Sequence, residues 1–435
     1  MLNIDFDALI SKVKECECKY EEGVVSKVIG LTIEVDGIKA FVGEVCLVYN
    51  EKNRPITCEA VGFRNNNVIL MPLGELEGIS PGCRVVPQGR HLGIKCSDAL
   101  FGKVLDGLGN PLDNSEIIGG TAYKLDADPP DPLRRRRIKD ILPTGVRAID
   151  GFLTCGEGQR VGIFAGSGVG KSTTLGMIAR EAKADVNVIA LIGERGREVR
   201  DFLEKDLGEE GMKKSIIVCA TSDRPALVRL KGAFTATAIA EYFRDQGKKV
   251  ILMMDSVTRF AMAQREVGLA IGEPPATKGY TPSVFAMLPR LMERSGTSEK
   301  GSITAFYTVL VDGDDFNEPI ADAVRGILDG HIVLSRALAA KNHFPAIDIL
   351  SSVSRLMSEI ADEEHKTAAS NARDLLATYK NAEDLINIGA YVRGSNPKID
   401  LALNYYGELE SYLRQGIKEK SEFIESISRL KRTFM

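Results

Sequence analysis

The chain has 435 residues, of which 44% are hydrophobic and 27% charged, and its formal net charge is −4. This composition is that of a folded globular protein and excludes a wholly disordered, collagen-like or coiled-coil chain. The small net charge excludes a strong global attraction to nucleic acid. No apolar run reaches the roughly 18 residues needed to span a bilayer, and no secretory segment is recognisable at the start, so we expect a cytoplasmic protein of several domains.

Eight cysteines are spread along the chain without the CxxC or Cys/His spacing of a zinc site. In a chain of this size, such cysteines are expected to be reduced thiols that pack as small hydrophobic side chains. The pattern therefore indicates neither a disulfide framework nor a zinc centre.

Residues 1–20 are predicted to form an amphipathic helix, because their apolar residues recur at helical spacing. Two interpretations stay open at this point. The helix either packs on its own domain or docks on a partner protein.

Residues 21–92 are predicted to form a β-domain, because short runs of alternating apolar residues follow one another there. Six such strands favour a small closed barrel, since closure removes exposed edges. Asp36-Gly37 predicts a hairpin turn between two of the strands. The predicted strands are 24–28, 31–35, 38–42, 44–49, 56–63 and 67–72.

Residues 93–355 are predicted to form an α/β core, and residues 356–435 a helical domain. A connector rich in glycine and proline precedes near-continuous apolar strands that alternate with helices, which is typical of a parallel sheet buried on both faces. The run from Arg134 to Arg137 in the connector is either a solvated face or a contact with an acidic neighbour. The predicted C-terminal helices are 360–379, 382–388 and 398–423.

The sharpest motif runs from Ala165 to Thr173 and matches the phosphate-binding loop GxxxxGK[ST], except for alanine at its first position. Its glycines let backbone N–H groups turn toward one anion, and the following helix adds partial positive charge. We predict that Lys171 reaches the β- and γ-phosphates of a nucleotide and that Ser172 binds Mg²⁺. The predicted nucleotide-binding residues are Gly166, Ser167, Gly168, Val169, Gly170, Lys171, Ser172 and Thr173.

Two acidic residues follow apolar strands of the predicted core. Asp255 ends one strand in the pattern of a Walker B acid, and Glu194 comes directly after another. Because ligands of α/β sheets bind at the carboxyl ends of the strands, both acids are placed near the phosphates. We predict that Asp255 holds Mg²⁺ through water and that Glu194 orients and polarises the attacking water. Arg195, next to Glu194, is predicted to touch the γ-phosphate.

An arginine from a neighbouring subunit often stabilises the charge that develops on the transferred phosphoryl group. Arg355 is our candidate for this role. From the residues alone it is not separated from Arg325 or Arg336, and an isolated arginine is more often part of a surface ion pair.

Together, these stretches resemble the catalytic subunits of rotary ATPases and, among them, the flagellum-specific ATPases of the flagellar type III export apparatus. The resemblance covers the chain from about residue 20 to residue 425. The motifs that carry it lie at 105–113, 144–150, 164–172, 193–199, 254–265, 272–286, 314–322 and 327–336.

The resemblance implies a six-stranded N-terminal β-barrel, a central P-loop α/β ATPase core of the RecA type and a C-terminal helical domain. It also implies a homohexamer that binds ATP and Mg²⁺ at subunit interfaces. By motif match, Glu194 is the catalytic carboxylate, Asp255 the Walker B acid and Arg355 the arginine finger from the neighbouring subunit. Phe344 matches the aromatic residue that stacks on adenine, and Tyr412 is matched more loosely to a residue that closes the adenine pocket.

The same resemblance implies partners. A stalk-like protein is expected in the ring pore next to Lys278, Gly279 and Tyr280, and a stator-like regulatory protein on the helix of residues 1–20. ATP hydrolysis is expected to serve protein export together with an export gate and chaperone–substrate complexes. The expected location is the inner face of the cytoplasmic membrane at the flagellar base, with peripheral attachment.

Four other functions share parts of this pattern. A non-catalytic rotary subunit lacks the carboxylate that Glu194 supplies, and the catalytic subunit of an ATP synthase has a different phosphate loop. An RNA-translocating hexamer needs a basic, aromatic-lined barrel, where this chain has acids, so we expect no nucleic-acid partner. The injectisome ATPase of type III secretion shares nearly every motif and is kept as the alternative to the flagellar branch.

Overall fold

The computed structural model describes residues 21–311 and 315–435, so the predicted helix of residues 1–20 lies outside the described residues. The chain divides into two compact units, the first ending at Leu92 and the second beginning at Gly93. None of the described helices is long and apolar enough to cross a lipid bilayer.

The first unit contains a closed barrel of six antiparallel strands in the order β1-β2-β5-β4-β3-β6. Alternate side chains such as Ile33, Val48 and Leu70 point inward and are buried, which is the period of two expected for barrel strands. The strands are β1 (Gly23–Ile29), β2 (Thr32–Asp36), β3 (Glu44–Tyr49), β4 (Pro55–Arg64), β5 (Asn67–Pro72) and β6 (Arg84–His91).

Two sequence predictions for the barrel are wrong. Residues 38–42 form no strand, because the Glu44 carboxylate accepts hydrogen bonds from the backbone of Phe41 (3.0 Å) and Gly89 (2.7 Å) and fixes a turn there. The sixth strand is β6 instead. The predicted hairpin at Asp36-Gly37 is also wrong, since β1 and β2 are joined at Gly30, whose φ of 56° is positive.

The second unit is built on a nine-stranded sheet in the order β17-β16-β10-β15-β13-β11-β12-β8, with β14 paired to β15. All pairs are parallel except those of the short strands β14 and β17. A separate two-stranded sheet joins β7 to β9. The strands are β7 (Gly93–Cys96), β8 (Val104–Asp106), β9 (Thr121–Lys124), β10 (Arg160–Ala165), β11 (Val186–Ile192), β12 (Ser215–Ala220), β13 (Lys249–Asp255), β14 (Gly296–Thr297), β15 (Ser302–Leu310), β16 (Gly330–Leu334) and β17 (Val353–Ser354).

Helices cover the central strands, which are buried along almost their whole length as their apolar sequences predict. The predicted architecture of barrel, α/β core and C-terminal helices is confirmed. The helices are α1 (Arg147–Phe152), α2 (Lys171–Glu181), α3 (Gly196–Asp201), α4 (Gly208–Lys213), α5 (Ala226–Asp245), α6 (Val257–Ile271), α7 (Pro282–Met292), α8 (Pro319–Ile327), α9 (Arg336–Ala340), α10 (Met357–Ile360), α11 (Glu363–Asn387), α12 (Pro397–Leu413) and α13 (Phe423–Phe434), with a π-helical turn at Phe202–Leu207 and 3₁₀ turns at Asp98–Leu100, Pro132–Arg134 and Thr277–Gly279.

The predicted helix at 398–423 is wrong, because the chain leaves the helix after Leu413 and resumes it at Phe423. The buried side chain of Gln415 explains the break. Its amide donates to the backbone oxygens of Gly145 (2.8 Å) and Glu419 (2.9 Å), which a continuous helix would not allow. The helices predicted at 360–379 and 382–388 are a single helix, α11.

Two arginines of the run 134–137 anchor the connector to the core. Arg135 donates to the backbone oxygens of Ser295 (2.7 Å) and Glu293, and Arg136 donates to Ser298 (2.9 Å). The six described cysteines, Cys46, Cys58, Cys83, Cys96, Cys155 and Cys219, are buried free thiols, as predicted.

A buried ion pair ties α5 to the chain that follows α7. Arg294 is fully buried and donates from Nε to Glu241 at 3.0 Å and from Nη1 to the backbone oxygen of Leu125 at 2.5 Å. Glu241→Ala should lower the free energy of unfolding by about 3–5 kcal/mol, because it leaves a guanidinium buried without its counter-charge. Urea denaturation followed by circular dichroism measures the change. Glu210→Ala, which removes the exposed partner of Lys213, is the control and should leave the midpoint unchanged.

Candidate functional site

The phosphate loop connects the end of β10 to the first turn of α2. Gly168 and Gly170 have φ values of 77° and 90°, a conformation that glycine adopts without strain. Val169 is buried and anchors the middle of the loop in the core, whereas Ser167 and Gly168 are exposed. The first N–H groups of α2 have no partner within the helix and carry its partial positive charge. The loop therefore has the geometry of an anion site.

Lys171, the first residue of α2, is bound by both predicted acids. Its Nζ lies 2.6 Å from Oδ1 of Asp255 and 3.5 Å from Oε1 of Glu194. Asp255 ends β13 and Glu194 follows β11, so the carboxyl ends of β10, β11 and β13 bring the three groups together. Burial alone would lower the pKa of Lys171, but the two carboxylates raise it above its ordinary value, and the ammonium stays charged.

At neutral pH, Glu194 is expected to be partly protonated, because its pKa is raised. Burial is the largest cause that raises the pKa of Glu194, and the charge on Asp255 adds to it, while the Lys171 ammonium opposes both; the resulting pKa is about 7. A carboxylate with this pKa accepts protons more readily than an exposed one, which suits a general base at neutral pH.

Asp255 is almost completely buried and is held in a fixed orientation. Its Oδ1 accepts hydrogen bonds from Lys171 and from the Thr308 hydroxyl on β15, at 2.6 and 2.8 Å. Its Oδ2 accepts no hydrogen bond from the described residues. Among those residues there is no group of three His, Cys, Asp or Glu side chains that could hold a metal ion. A single carboxylate with the nearby Ser172 hydroxyl is an all-oxygen donor set that suits Mg²⁺ bound mainly by phosphates and water.

Phe344 lies against the phosphate loop. A Cβ atom on Gly170 would be 3.7 Å from its ring, and the side chain is 39% exposed. Its backbone oxygen accepts a hydrogen bond from the Gln415 backbone at 2.9 Å. An exposed aromatic face beside a phosphate loop is suited to stacking on a nucleotide base.

Tyr412 does not line this cleft. Its ring is buried against Phe152, and its hydroxyl donates to the backbone oxygen of Ser426 at 3.1 Å. The residue that fixes the backbone of Phe344 is Gln415, three positions further along the chain. The adenine-pocket prediction for Tyr412 therefore needs correction, because core packing between α1 and α12 occupies its side chain.

Arg195 and Arg355 are not brought to the phosphate loop of their own chain. The Arg195 side chain is 80% exposed and lies 3.7 Å from Glu198. Arg355 is exposed and donates its backbone N–H to Asp329, which precedes β16. Because β16 and β10 are parallel and in register, Arg355 lies at the amino-terminal edge of the sheet. The phosphate loop follows the opposite end of β10, whose six residues span roughly 17 Å.

Ser172 and Thr173 follow Lys171 in the first turn of α2. Burial is the main reason that the pKa of Asp206, in the π-helical turn, is raised, and the Thr173 hydroxyl acts in the opposite direction. Thr173 therefore lies close to the π-helical turn, and Ser172 stays our predicted hydroxyl ligand of the phosphate site.

Arg259, in the first turn of α6, is not among the site residues predicted from the sequence. Its Nε is buried without a hydrogen-bond partner among the described residues, and its side chain packs against Gly193, the residue before Glu194. Gly193 has a φ of 70°, and a Cβ atom there would lie 2.9 Å from that of Arg259. A cation at a helix N-terminus is unfavourable unless an anion is near. The sequence feature that could have indicated Arg259 is its position four residues after Asp255.

Three family models match the chain. The β-barrel domain of the ATP synthase alpha/beta family matches residues 25–89, and the nucleotide-binding domain of that family matches residues 145–354. The C-terminal domain of the type III secretion ATPase EscN matches residues 361–432.

Full-length relatives are also found. The chain is 57% identical over 426 residues to the flagellum-specific ATP synthase of Bacillus subtilis (strain 168), covering 97% of each chain. It is 51% identical over 410 residues to the type 3 secretion system ATPase of Xanthomonas euvesicatoria, covering 94% of this chain and 93% of the relative.

Solved structures of EscN, the ATPase of the enteropathogenic E. coli type III secretion system, have the same fold. The assembled EscN superimposes with a TM-score of 0.90 at 48% identity, over 95% of this chain and 100% of EscN. EscN in complex with its central stalk EscO superimposes with a TM-score of 0.87 at the same identity and coverage.

Proposed function

The chain belongs to the family of flagellar and type III secretion ATPases, and we propose that it hydrolyses ATP between neighbouring copies to energise flagellar protein export. The observation that carries the proposal is the contact of Lys171 with both Asp255 and Glu194 at the phosphate loop. A lysine, a Walker B acid and a second carboxylate at one point are the parts that hydrolysis of a nucleoside triphosphate needs.

We propose that binding moves Lys171 from Asp255 to the β- and γ-phosphates of ATP. Phe344 stacks on adenine beside Gly170, and Arg259, whose Nε has no hydrogen-bond partner among the described residues, offers its guanidinium to the γ-phosphate side of the cleft. Arg195 stays a prediction for the same phosphate, since its side chain faces solvent.

We propose that Ser172 and Asp255 hold Mg²⁺. When bound there, this ion would supply charge neutralisation at the β- and γ-phosphates. Glu194 orients the attacking water and takes up its proton, for which its raised pKa is suited. The developing charge on the γ-phosphoryl group needs one more cation, and the chain's own Arg355 lies at the wrong edge of the sheet.

In our proposal, Arg355 therefore acts on the nucleotide bound to a neighbouring copy. We propose a homohexamer, because in a closed ring every phosphate loop can receive Arg355 from the next copy. The assembled EscN structure supports assembly of several copies of this fold. The EscN complex with its central stalk supports a stalk-like partner in the pore, where we place the turn Thr277–Gly279. Lys278 in this turn is half exposed, 3.6 Å from Asp315.

The export gate, chaperone–substrate complexes and the stator-like protein on residues 1–20 stay predictions. So does peripheral attachment at the inner face of the cytoplasmic membrane. The domain boundaries at 1–20, 21–92, 93–355 and 356–435 are likewise our proposal for how the chain is organised.

The pH dependence of turnover tests the role of Glu194. Since burial raises the pKa of Glu194 to about 7, its ionised form is lost as the pH falls through that value. The ratio kcat/KM should therefore fall about tenfold per pH unit below pH 7, as measured by phosphate release. Glu194→Gln should bind ATP, turn over roughly a hundredfold more slowly or worse, and lack this acid limb. An acid limb that persists in Glu194→Gln would assign the titration to another group.

Mixing two inactive variants tests whether Arg355 acts across the seam, which is the interface between two neighbouring copies. Lys171→Ala lacks the phosphate lysine, and Arg355→Ala lacks the finger. In mixed rings, roughly a quarter of the seams combine the intact Lys171 of one copy with the intact Arg355 of the next. Mixing should restore ATPase activity in proportion to these seams. If mixed rings recovered through two different affinity tags stay inactive, Arg355 does not act in trans.

Functional complementation tests the flagellar branch. The chain should restore motility to a Bacillus subtilis strain that lacks its own 57%-identical relative, and Glu194→Gln should not. The 51%-identical type 3 secretion ATPase keeps the injectisome function as a second candidate. Restored effector secretion in a Xanthomonas strain that lacks that ATPase, without restored motility in Bacillus, would decide for the injectisome.

A further inference from the structure

Thr308 is a fully buried hydroxyl at the centre of the sheet, on β15 between β10 and β13. Its Oγ lies 2.8 Å from Oδ1 of Asp255 and 3.2 Å from the backbone oxygen of Met254. A hydroxyl has a single proton to donate, and a hydrogen bond to an ionised carboxylate is roughly twice as strong as one to a neutral carbonyl. The Thr308 proton is therefore directed at Asp255.

In the structure, Oδ1 of Asp255 has two donors, Thr308 and Lys171. Lys171 is the one that leaves when phosphates bind in our proposal. Thr308 cannot leave, because its β-branched side chain is packed in the sheet and has few rotamers. It then remains as the donor that holds Oδ1, while Oδ2 accepts no hydrogen bond from the described residues.

We propose that Thr308 is a positioning residue, which keeps the Asp255 carboxylate aligned for the magnesium–nucleotide complex after Lys171 has moved to the phosphates. This inference rests on the proposed role of Asp255. It predicts that the Thr308 hydroxyl matters for the advantage that Mg²⁺ gives to nucleotide binding and much less for binding of the metal-free nucleotide.

Three substitutions test the proposal in the full chain. Thr308→Val keeps the shape and removes the hydroxyl, and Thr308→Ser keeps the hydroxyl. Thr304→Val is the matched control, because Thr304 is buried four residues earlier on the same strand. Its hydroxyl accepts from the backbone of Gly158 at 2.8 Å, away from the phosphate loop.

The readouts are the affinity for a fluorescent ATP analogue, with Mg²⁺ and with a chelator, and Mn²⁺ binding to the ADP complex by electron paramagnetic resonance. Thr308→Val should weaken Mg²⁺-dependent binding and Mn²⁺ binding by about tenfold, as expected for loss of a hydrogen bond to a charged group. Its affinity in chelator should stay within about twofold of the parent. Thr308→Ser and Thr304→Val should match the parent in both readouts.

Two results overturn the proposal. One is parental Mg²⁺-dependent affinity in Thr308→Val, and the other is an equal loss in Thr304→Val, which would indicate a general effect of packing. Asp255→Asn separates this failure from a failure of the proposed function. If Asp255→Asn loses the Mg²⁺ advantage and Thr308→Val does not, Asp255 holds the metal without help from Thr308. If neither variant loses it, the proposed role of Asp255 is itself wrong.

Discussion

One ammonium group held between a buried and a partly buried carboxylate is the interaction on which the proposed chemistry of this protein depends. Lys171 compensates one of the two negative charges of Asp255 and Glu194, and the surplus charge with burial keeps Glu194 near its point of protonation. A triphosphate that draws Lys171 away leaves both carboxylates uncompensated in a poorly solvated cleft. Under the proposed function, the site therefore favours a nucleotide that binds together with a cation, because the complex restores the charge balance that is lost when Lys171 moves.

The rigidity of the site comes from the sheet. The strands that end at the cleft are buried along almost their whole length, and adjacent parallel strands fix where their carboxyl ends lie. Gln415 fixes the position of Phe344, since its backbone N–H donates to the Phe344 backbone oxygen and its side-chain amide donates to the backbone oxygen of Gly145, which precedes α1. Phe344, our proposed base-stacking residue, is thus attached to the C-terminal segment as well as to the core.

The sequence predicted the parts of this site that depend on local pattern. Lys171, Asp255 and Glu194 could be placed because strand, loop and helix signals are contiguous there. The sequence could not predict the positions of side chains that depend on contacts between distant parts of the chain. Tyr412 turns into the core because α12 packs on α1, and Thr308 meets Asp255 only because β15 lies beside β13.

In the barrel, the same limit applies to register and turns. The strand count was right, but residues 38–42 form a turn because the Glu44 carboxylate accepts hydrogen bonds from the backbone of Phe41 in the turn and of Gly89 on β6, which no alternation of apolar residues reveals. The break after Leu413 has the same origin, since Gln415 bonds to a segment some 270 positions away in the sequence. Local periodicity describes what a segment prefers, and long-range hydrogen bonds decide whether that preference is kept.

Arg355 and the phosphate loop lie at opposite edges of one sheet. If Arg355 acts in a neighbouring copy, as we propose, each copy has one side that supplies the arginine and another side that receives it. Under the proposed arrangement, an open row of n copies has n − 1 complete sites, with one unused arginine and one unserved pocket at its ends. Closing the row into a circle completes the last site. ATPase activity per copy then increases with the extent of assembly. Complete rings would hydrolyse ATP at the full rate, whereas unassembled subunits would hydrolyse very little.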